Sequence, residues 1–265
     1  MLLATATHRI HYDLIGPSTG GVVCFAHALL ADGGMWADQA TTLVEAGVQV
    51  LRIDMRGHGG SDSPSMRCSV EDLAGDVLAV LDHLCLDRVH FVGLSIGGVI
   101  GQSIAARYPA RLLSLVLSDT NVASAPNAKA LWSERVALVK QAGSPACLAD
   151  GMMGRLLSDD FKARQPVRWQ QIYATIKATR PEGVFAGADA LQAFDFTSAL
   201  PSVKTRTLVV CGSKDPATPP SEAKKIVDLI PGARYHEIAD ALHFPNVEQA
   251  DAYSKVLLEW LAAKP

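Results

Sequence analysis

Charge is scarce and nearly balanced in this 265-residue chain: charged side chains make up 19% of it and the formal net charge is −3. Without a basic excess, nothing favours nucleic acid or an anionic membrane surface as a partner. Long hydrophobic runs are missing too, since no apolar stretch approaches the roughly 18 residues that span a bilayer. The opening Met1–Arg9 lacks the basic start and apolar core of a secretory leader, so a cytoplasmic location is expected. Cysteine is sparse. Cys24, Cys68, Cys85, Cys147 and Cys211 are odd in number, scattered and free of any Cys-x-x-Cys pair, which argues against a disulfide framework. Cys24 and Cys211 sit inside strand-like runs and read as buried reduced thiols. No cluster of His, Cys and carboxylates has metal-ligand spacing, and no P-loop or helix-opening Gly-x-Gly-x-x-Gly is present, so neither metal nor cofactor is expected. The glycine-rich Asp54–Asp62 stretch matches neither phosphate motif and reads as a structural loop.

What is there is a core-forming pattern. The hydrophobic fraction is 49%, enough for one large α/β domain or a domain with an insertion. Strand-like runs at Ile10–Leu14, Val22–Ala26, Val48–Ile53, Arg88–Val92 and Leu113–Ser118 alternate with helical stretches. One of these, Val70–Leu84, carries Leu73, Val77, Leu78, Val80, Leu81 and Leu84 at helical spacing. This order predicts a mostly parallel sheet with helices on both faces. Between residues 121 and 199 the pattern turns helical, with stretches at Leu131–Gln141, Pro145–Leu157, Gln165–Ala178 and Gly183–Phe194. That segment reads as a helical cap over the active-site end of the sheet, leaving 1–120 and 200–265 as the core. Strands resume at Thr207–Cys211 and Arg234–Ile238, and a final helix is expected over Val247–Ala262.

The pentapeptide Gly93-Leu94-Ser95-Ile96-Gly97 fits Gly-x-Ser-x-Gly and lies between a strand and a helix. A serine on so tight a turn needs glycine at either side, and its oxygen then stands near the positive end of a helix. A serine hydroxyl is a weak nucleophile at neutral pH, so a base must take its proton and a third group must orient that base. Where this elbow occurs, acid and histidine follow in chain order, each in a loop after a strand. Asp215, beyond the Leu208–Cys211 run, fits the acid, and His243, before the last helix, fits the base. Asp119, after Leu113–Ser118, is the competing acid, while Asp240 reads as a turn residue. Acyl transfer also needs donors for the developing oxyanion. The Ile96 N–H is one, and the loop after Val22–Ala26 supplies the other, with Leu29 the candidate and Ala28 in reserve. His27 reads as a brace for that loop.

With these motifs placed, the chain resembles the α/β-hydrolases over nearly its whole length. The carriers are His27-Ala28-Leu29 with Trp36, Asp54-Met55-Arg56-Gly57-His58-Gly59, the Ser95 elbow, Gly212 with Asp215 and Thr218-Pro219, and His243 with Asn246-Val247-Glu248. Within that superfamily it is similar to the 3-oxoadipate enol-lactonases, through Ser69–Leu78, Arg180–Gly183, Asp215–Pro220 and Ile230–Tyr235. The resemblance implies hydrolysis of a carboxylic ester or lactone through an acyl-enzyme, with no cofactor and a small-molecule ester or lactone as substrate. The alternatives are a broad small-ester carboxylesterase, a cofactor-free perhydrolase or haloperoxidase, and a non-enzymatic ligand receptor. Two features depart from the lactonase pattern. An Asn-Ser-Leu-Gly type loop is replaced by His27-Ala28-Leu29-Leu30, and a cap Arg-Trp-Phe by Arg155-Leu156-Leu157, so a pocket aromatic is expected to be missing. An anionic substrate calls for a cation in the cap. Arg135 and Arg155 are the candidates, weighed against plain surface placement, which the usual exposure of charged side chains favours.

Overall fold

The computed structural model describes residues 1–18, 20–63 and 67–263. Among these, β1 (Leu2–Ala4), β2 (Arg9–Ile15), β3 (Val22–Ala26), β4 (Gln49–Ile53), β5 (Val89–Leu94), β6 (Leu112–Ser118), β7 (Thr207–Gly212) and β8 (Arg234–Ile238) form one sheet. Their order is β1-β2-β4-β3-β5-β6-β7-β8, antiparallel at β1–β2 and β2–β4 and parallel from β4 to β8. The mostly parallel sheet is as expected, and burial explains its composition. Every residue of β3 and β7 is buried, which suits the apolar runs Val-Val-Cys-Phe-Ala in β3 and Leu-Val-Val-Cys within β7, whose opening Thr207 satisfies its hydroxyl on the Thr205 carbonyl. Cys24 and Cys211 are accordingly buried free thiols.

The helices that flank and cover the sheet are α1 (Ala37–Glu45), α2 (Val70–His83), α3 (Ile96–Arg107), α4 (Ala128–Ala142), α5 (Ala149–Leu156), α6 (Asp159–Arg164), α7 (Pro166–Ala178), α8 (Pro181–Leu191), α9 (Pro220–Leu229), α10 (Pro245–Glu248) and α11 (Ala250–Ala262). Two expected helices are subdivided. The Pro145–Leu157 stretch opens with a 3-10 turn over Pro145–Leu148 before α5. The final helix breaks at Gln249, whose φ of −126° and ψ of 55° separate α10 from α11. No helix among the described residues is long and apolar enough to cross a membrane.

The topology fixes where a site can form. From β3 the chain moves outward to β4, and from β5 it moves to β6 on the other side, so the loops leaving β3 and β5 part company. A crevice opens at such a reversal, beyond the carboxyl ends of the strands. Ala26, the last residue of β3, pairs with Gly93 one residue before the end of β5. The two loops carrying Leu29 and Ser95 therefore leave the sheet side by side.

Candidate active site

Between β5 and α3 the chain reverses through a single residue, Ser95, at φ 56° and ψ −117°. A side chain in that region costs on the order of 1–3 kcal/mol, and such strain collects at functional sites. The turn holds because nothing crowds its inner face. A Cβ on Gly93 would sit 2.1 Å from the Gly97 carbonyl oxygen, and one on Gly97 would sit 2.3 Å from that of Ala26. The Ser95 N–H donates to the Ser118 carbonyl at 2.9 Å, and its carbonyl accepts the Thr120 hydroxyl at 2.8 Å, pinning the elbow to the end of β6.

Asp215 and His243, 28 residues apart in sequence, meet: His243 Nδ1 donates to Asp215 Oδ2 at 2.8 Å, with both side chains buried. The same Oδ2 accepts the Thr218 hydroxyl, and Oδ1 accepts the backbone N–H of Ala217 at 2.7 Å and of Thr218 at 3.2 Å. Burial alone would raise the Asp215 carboxyl, but the imidazole and these donors outweigh it and hold it below the ordinary aspartate value. The bond on Nδ1 leaves Nε2 for other work. Among the described residues neither Nε2 nor the Ser95 hydroxyl has a hydrogen-bond partner, and His243 and Ser95 line one pocket. Such contacts often tighten only once a substrate is bound.

Asp119, the competing acid, is fully buried beside this pair rather than on the imidazole. Its Oδ1 accepts the Gly212 N–H at 2.8 Å and its Oδ2 the Ser118 hydroxyl at 2.7 Å. Burial, and then the Asp215 charge, push its carboxyl well above the usual aspartate range. Side-chain atoms of Asp119, Asp215 and His243 lie within 4.8 Å of one another, a grouping of ligand types that sequence spacing did not show. Hydrogen bonds within the protein account for these carboxylate oxygens.

In the loop after β3, the Ala28 N–H points at the Met35 sulfur at 3.4 Å, and the Leu30 N–H at His58 Nε2 at 3.3 Å. Among the described residues the Leu29 and Ile96 N–H groups have no acceptor. His27 and His58 brace this loop, with ring centroids 5.2 Å apart. His27 Nδ1 donates to the Ala28 carbonyl at 2.7 Å while its Nε2 accepts the Met55 N–H at 2.9 Å. His58 Nδ1 donates to the Arg56 carbonyl at 2.9 Å. Below them the Asp54 carboxylate accepts the Gly33 N–H at 2.7 Å and the Gly60 N–H at 2.9 Å, which makes Asp54–Asp62 a supporting loop.

Burial, and then the neighbouring His27, depress His58 to about 3. An unfolded histidine takes up its proton near 6.5. The stability contributed by neutral His58 is therefore complete above that pH and is lost as pH falls toward the folded value. Between pH 6.5 and 5, urea unfolding should lose about 1.1 kcal/mol per pH unit from this group, the slope steepening toward about 1.4 at the lower end. His58→Asn should flatten that slope. An equal slope in both proteins would show that His58 is not the source.

The pocket has a volume of about 180 Å³. Its wall is largely apolar, with Leu131 and Trp132 of α4, Met152 and Leu156 of α5, and Leu191 and Phe194 at and beyond the end of α8. The aromatic expected to be missing is thus supplied by other positions, Trp132, Phe194 and Phe244. Arg135 and Arg155 also line the pocket and are half-buried, so plain surface placement does not describe them. The Arg135 guanidinium lies 4.7 Å from the Trp132 ring centroid. Burial, and then the charge of Arg155, lower its pKa. Among the described residues neither arginine has a carboxylate within the 4.0 Å of an ion pair.

Two residues named above only as carriers of the resemblance, and given no role there, fix this geometry. Thr218 locks the Asp215 carboxylate, as above. Glu248, buried, accepts the Leu242 N–H at 2.7 Å and the Ser158 N–H at 3.1 Å, tying the His243 loop to the start of α6. Only the proximity of Glu248 to His243 in sequence could have hinted at this.

A family model described as the alpha/beta hydrolase fold matches residues 21–250. The enol-lactonase from Burkholderia xenovorans LB400 superposes with a TM-score of 0.93 at 33% identity, covering 99% of this chain and 100% of that one. 3-Oxoadipate enol-lactonase 1 of Acinetobacter baylyi is 29% identical over 91% of this chain and 88% of its own length. RutD of Variovorax paradoxus, provisionally named a carbamate hydrolase, is 29% identical over 96% of each chain.

Proposed function

This chain belongs to the α/β-hydrolase family, and we propose from that premise that it is a serine hydrolase cleaving small carboxylic esters or lactones through an acyl-enzyme. The observation that carries the reading is the 2.8 Å bond from His243 Nδ1 to a buried Asp215, with the imidazole and the strained Ser95 on one pocket. Ser95 Oγ attacks the carbonyl carbon while His243 Nε2 takes its proton, and Asp215 holds the imidazole and balances the charge it gains. The carbonyl oxygen becomes an oxyanion supported by the Leu29 and Ile96 N–H groups. As the C–O bond breaks, His243 returns the proton to the leaving oxygen, which in a lactone stays tethered to the acyl chain. Water, deprotonated by the same imidazole, then releases the acid and restores Ser95.

Arg135 and Arg155 support a substrate bearing its own carboxylate, since among the described residues no carboxylate lies within ion-pair distance of either cation in this mostly apolar pocket. The candidate is 3-oxoadipate enol-lactone, the substrate that the Acinetobacter relative's name carries. The apolar wall favours a second reading, a broad carboxylesterase for small neutral esters. A panel of the enol-lactone, a short neutral p-nitrophenyl ester and a carbamate, with Ser95→Ala as blank, separates them. We expect kcat/KM for the enol-lactone to exceed that for the neutral ester by at least about tenfold. The reverse order would favour the carboxylesterase, turnover of the carbamate alone would overturn both, and binding without turnover would mean a receptor.

A further inference from the structure

Two carboxyl groups lie beside one imidazole, and the proposed reaction uses only one of them. Asp119 and Asp215 are both buried, and their oxygens lie within 4.8 Å of each other and of the imidazole. Like charges so close and so far from water cannot both persist. The donors decide which carboxyl keeps the charge. Among the described residues Asp215 receives His243 Nδ1, the Thr218 hydroxyl and two backbone N–H groups, whereas Asp119 has the Gly212 N–H and the Ser118 hydroxyl. A second anion here would favour the charged imidazole over the neutral base that the reaction uses.

Resting on the assignment of His243 as base, we propose that Asp119 is a positioning residue: its carboxyl holds the one proton of the pair, so that Asp215 alone is the anion facing the imidazole, and it anchors the turn from which Asp215 projects. The anchor is the bond from Gly212, the last residue of β7 and three positions before Asp215, to Asp119 Oδ1. Asp119 also sits at φ 45°, a left-handed conformation that Asp and Asn tolerate better than most residues. Among the described residues the other titratable groups around it are the Cys211 thiol on β7, the Tyr235 phenol on β8 and the Tyr253 phenol on α11, none of which supplies a positive charge. The raised pKa described above points the same way.

Asparagine is the neutral isostere of a protonated Asp119, and serine is too short to reach the Gly212 N–H. In Asp119→Asn, kcat should stay within about threefold of wild type and the acidic limb of its pH profile should not move. In Asp119→Ser, kcat should fall at least about tenfold with KM within about twofold. Infrared difference spectra at pH 7 should show a protonated carboxyl C=O band in the wild type that Asp119→Asn lacks. That band does not depend on turnover, so its presence in a protein that cleaves no ester would fault the hydrolase reading and leave the shared proton standing. Loss of more than about 100-fold in Asp119→Asn, movement of its acidic limb by more than about one pH unit, an unchanged kcat in Asp119→Ser, or absence of the infrared band would each overturn the proposal.

Discussion

Ser95→Ala should lower kcat for the preferred ester or lactone by at least about 10⁴-fold, and His243→Ala should do nearly the same. The double variant should be no worse than either alone, because nucleophile and base act as one unit and losing either removes the whole step. The unfolding free energy of Ser95→Ala should change by no more than about 1 kcal/mol. The Ser95 hydroxyl has no hydrogen-bond partner among the described residues and the residue lines the pocket, so its loss neither orphans a buried donor nor opens a core cavity. The backbone bonds that hold the elbow, to Ser118 and Thr120, do not involve its side chain. Wild-type turnover in Ser95→Ala would defeat the mechanism.

Removing both pocket arginines should change specificity rather than chemistry. In Arg135→Ala/Arg155→Ala, kcat/KM for a carboxylate-bearing substrate should fall by about 10²–10³, mostly through KM. This corresponds to about 2.7–4.1 kcal/mol for the pair, two charge-assisted bonds near the lower end of their usual range of about 1.5–3 kcal/mol. Short neutral esters should change by no more than about threefold, since the Ser95, His243 and Asp215 geometry is untouched. The single variants should not add up to the double. Each guanidinium is held near a like charge, and Arg155 contributes to the lowered pKa of Arg135, so deleting one relieves the other. A double variant that loses as much on neutral esters as on anionic ones would mean that the arginines hold the pocket's shape.

The sequence disclosed most where a local pattern and a chemical need coincide. The Ser95 elbow announces itself through Gly93 and Gly97, because a Cβ at either would strike a backbone oxygen. The buried strands β3 and β7 read directly as apolar runs. Asp215 and His243 were found from chain order, and the structure brings them to 2.8 Å. By contrast β1 is three residues at the sheet edge, paired with β2, and is too short to leave a periodicity to read. α6 is too short for a hydrophobic stripe and starts from a single side-chain cap, Ser158 accepting the Phe161 N–H. The contact between Asp119 and Asp215 joins residues 96 positions apart and follows from β6 and β7 being neighbours, which composition does not encode. The arginines were ambiguous for a related reason: α4 and α5 show where arginines lie along a helix, while the pocket they enter is set by packing over the sheet.

One measurement reaches the central claim without passing through rates. Quenching wild-type protein within its first turnovers on the enol-lactone or an activated ester, then recording intact mass and peptide masses, should reveal one acyl adduct located on the peptide containing Ser95. The adduct should be absent from Ser95→Ala, which lacks the nucleophile, and from His243→Ala, which lacks the base that activates it. Hydrolysis at full speed with no adduct in any variant, or an adduct on another residue, would contradict the account.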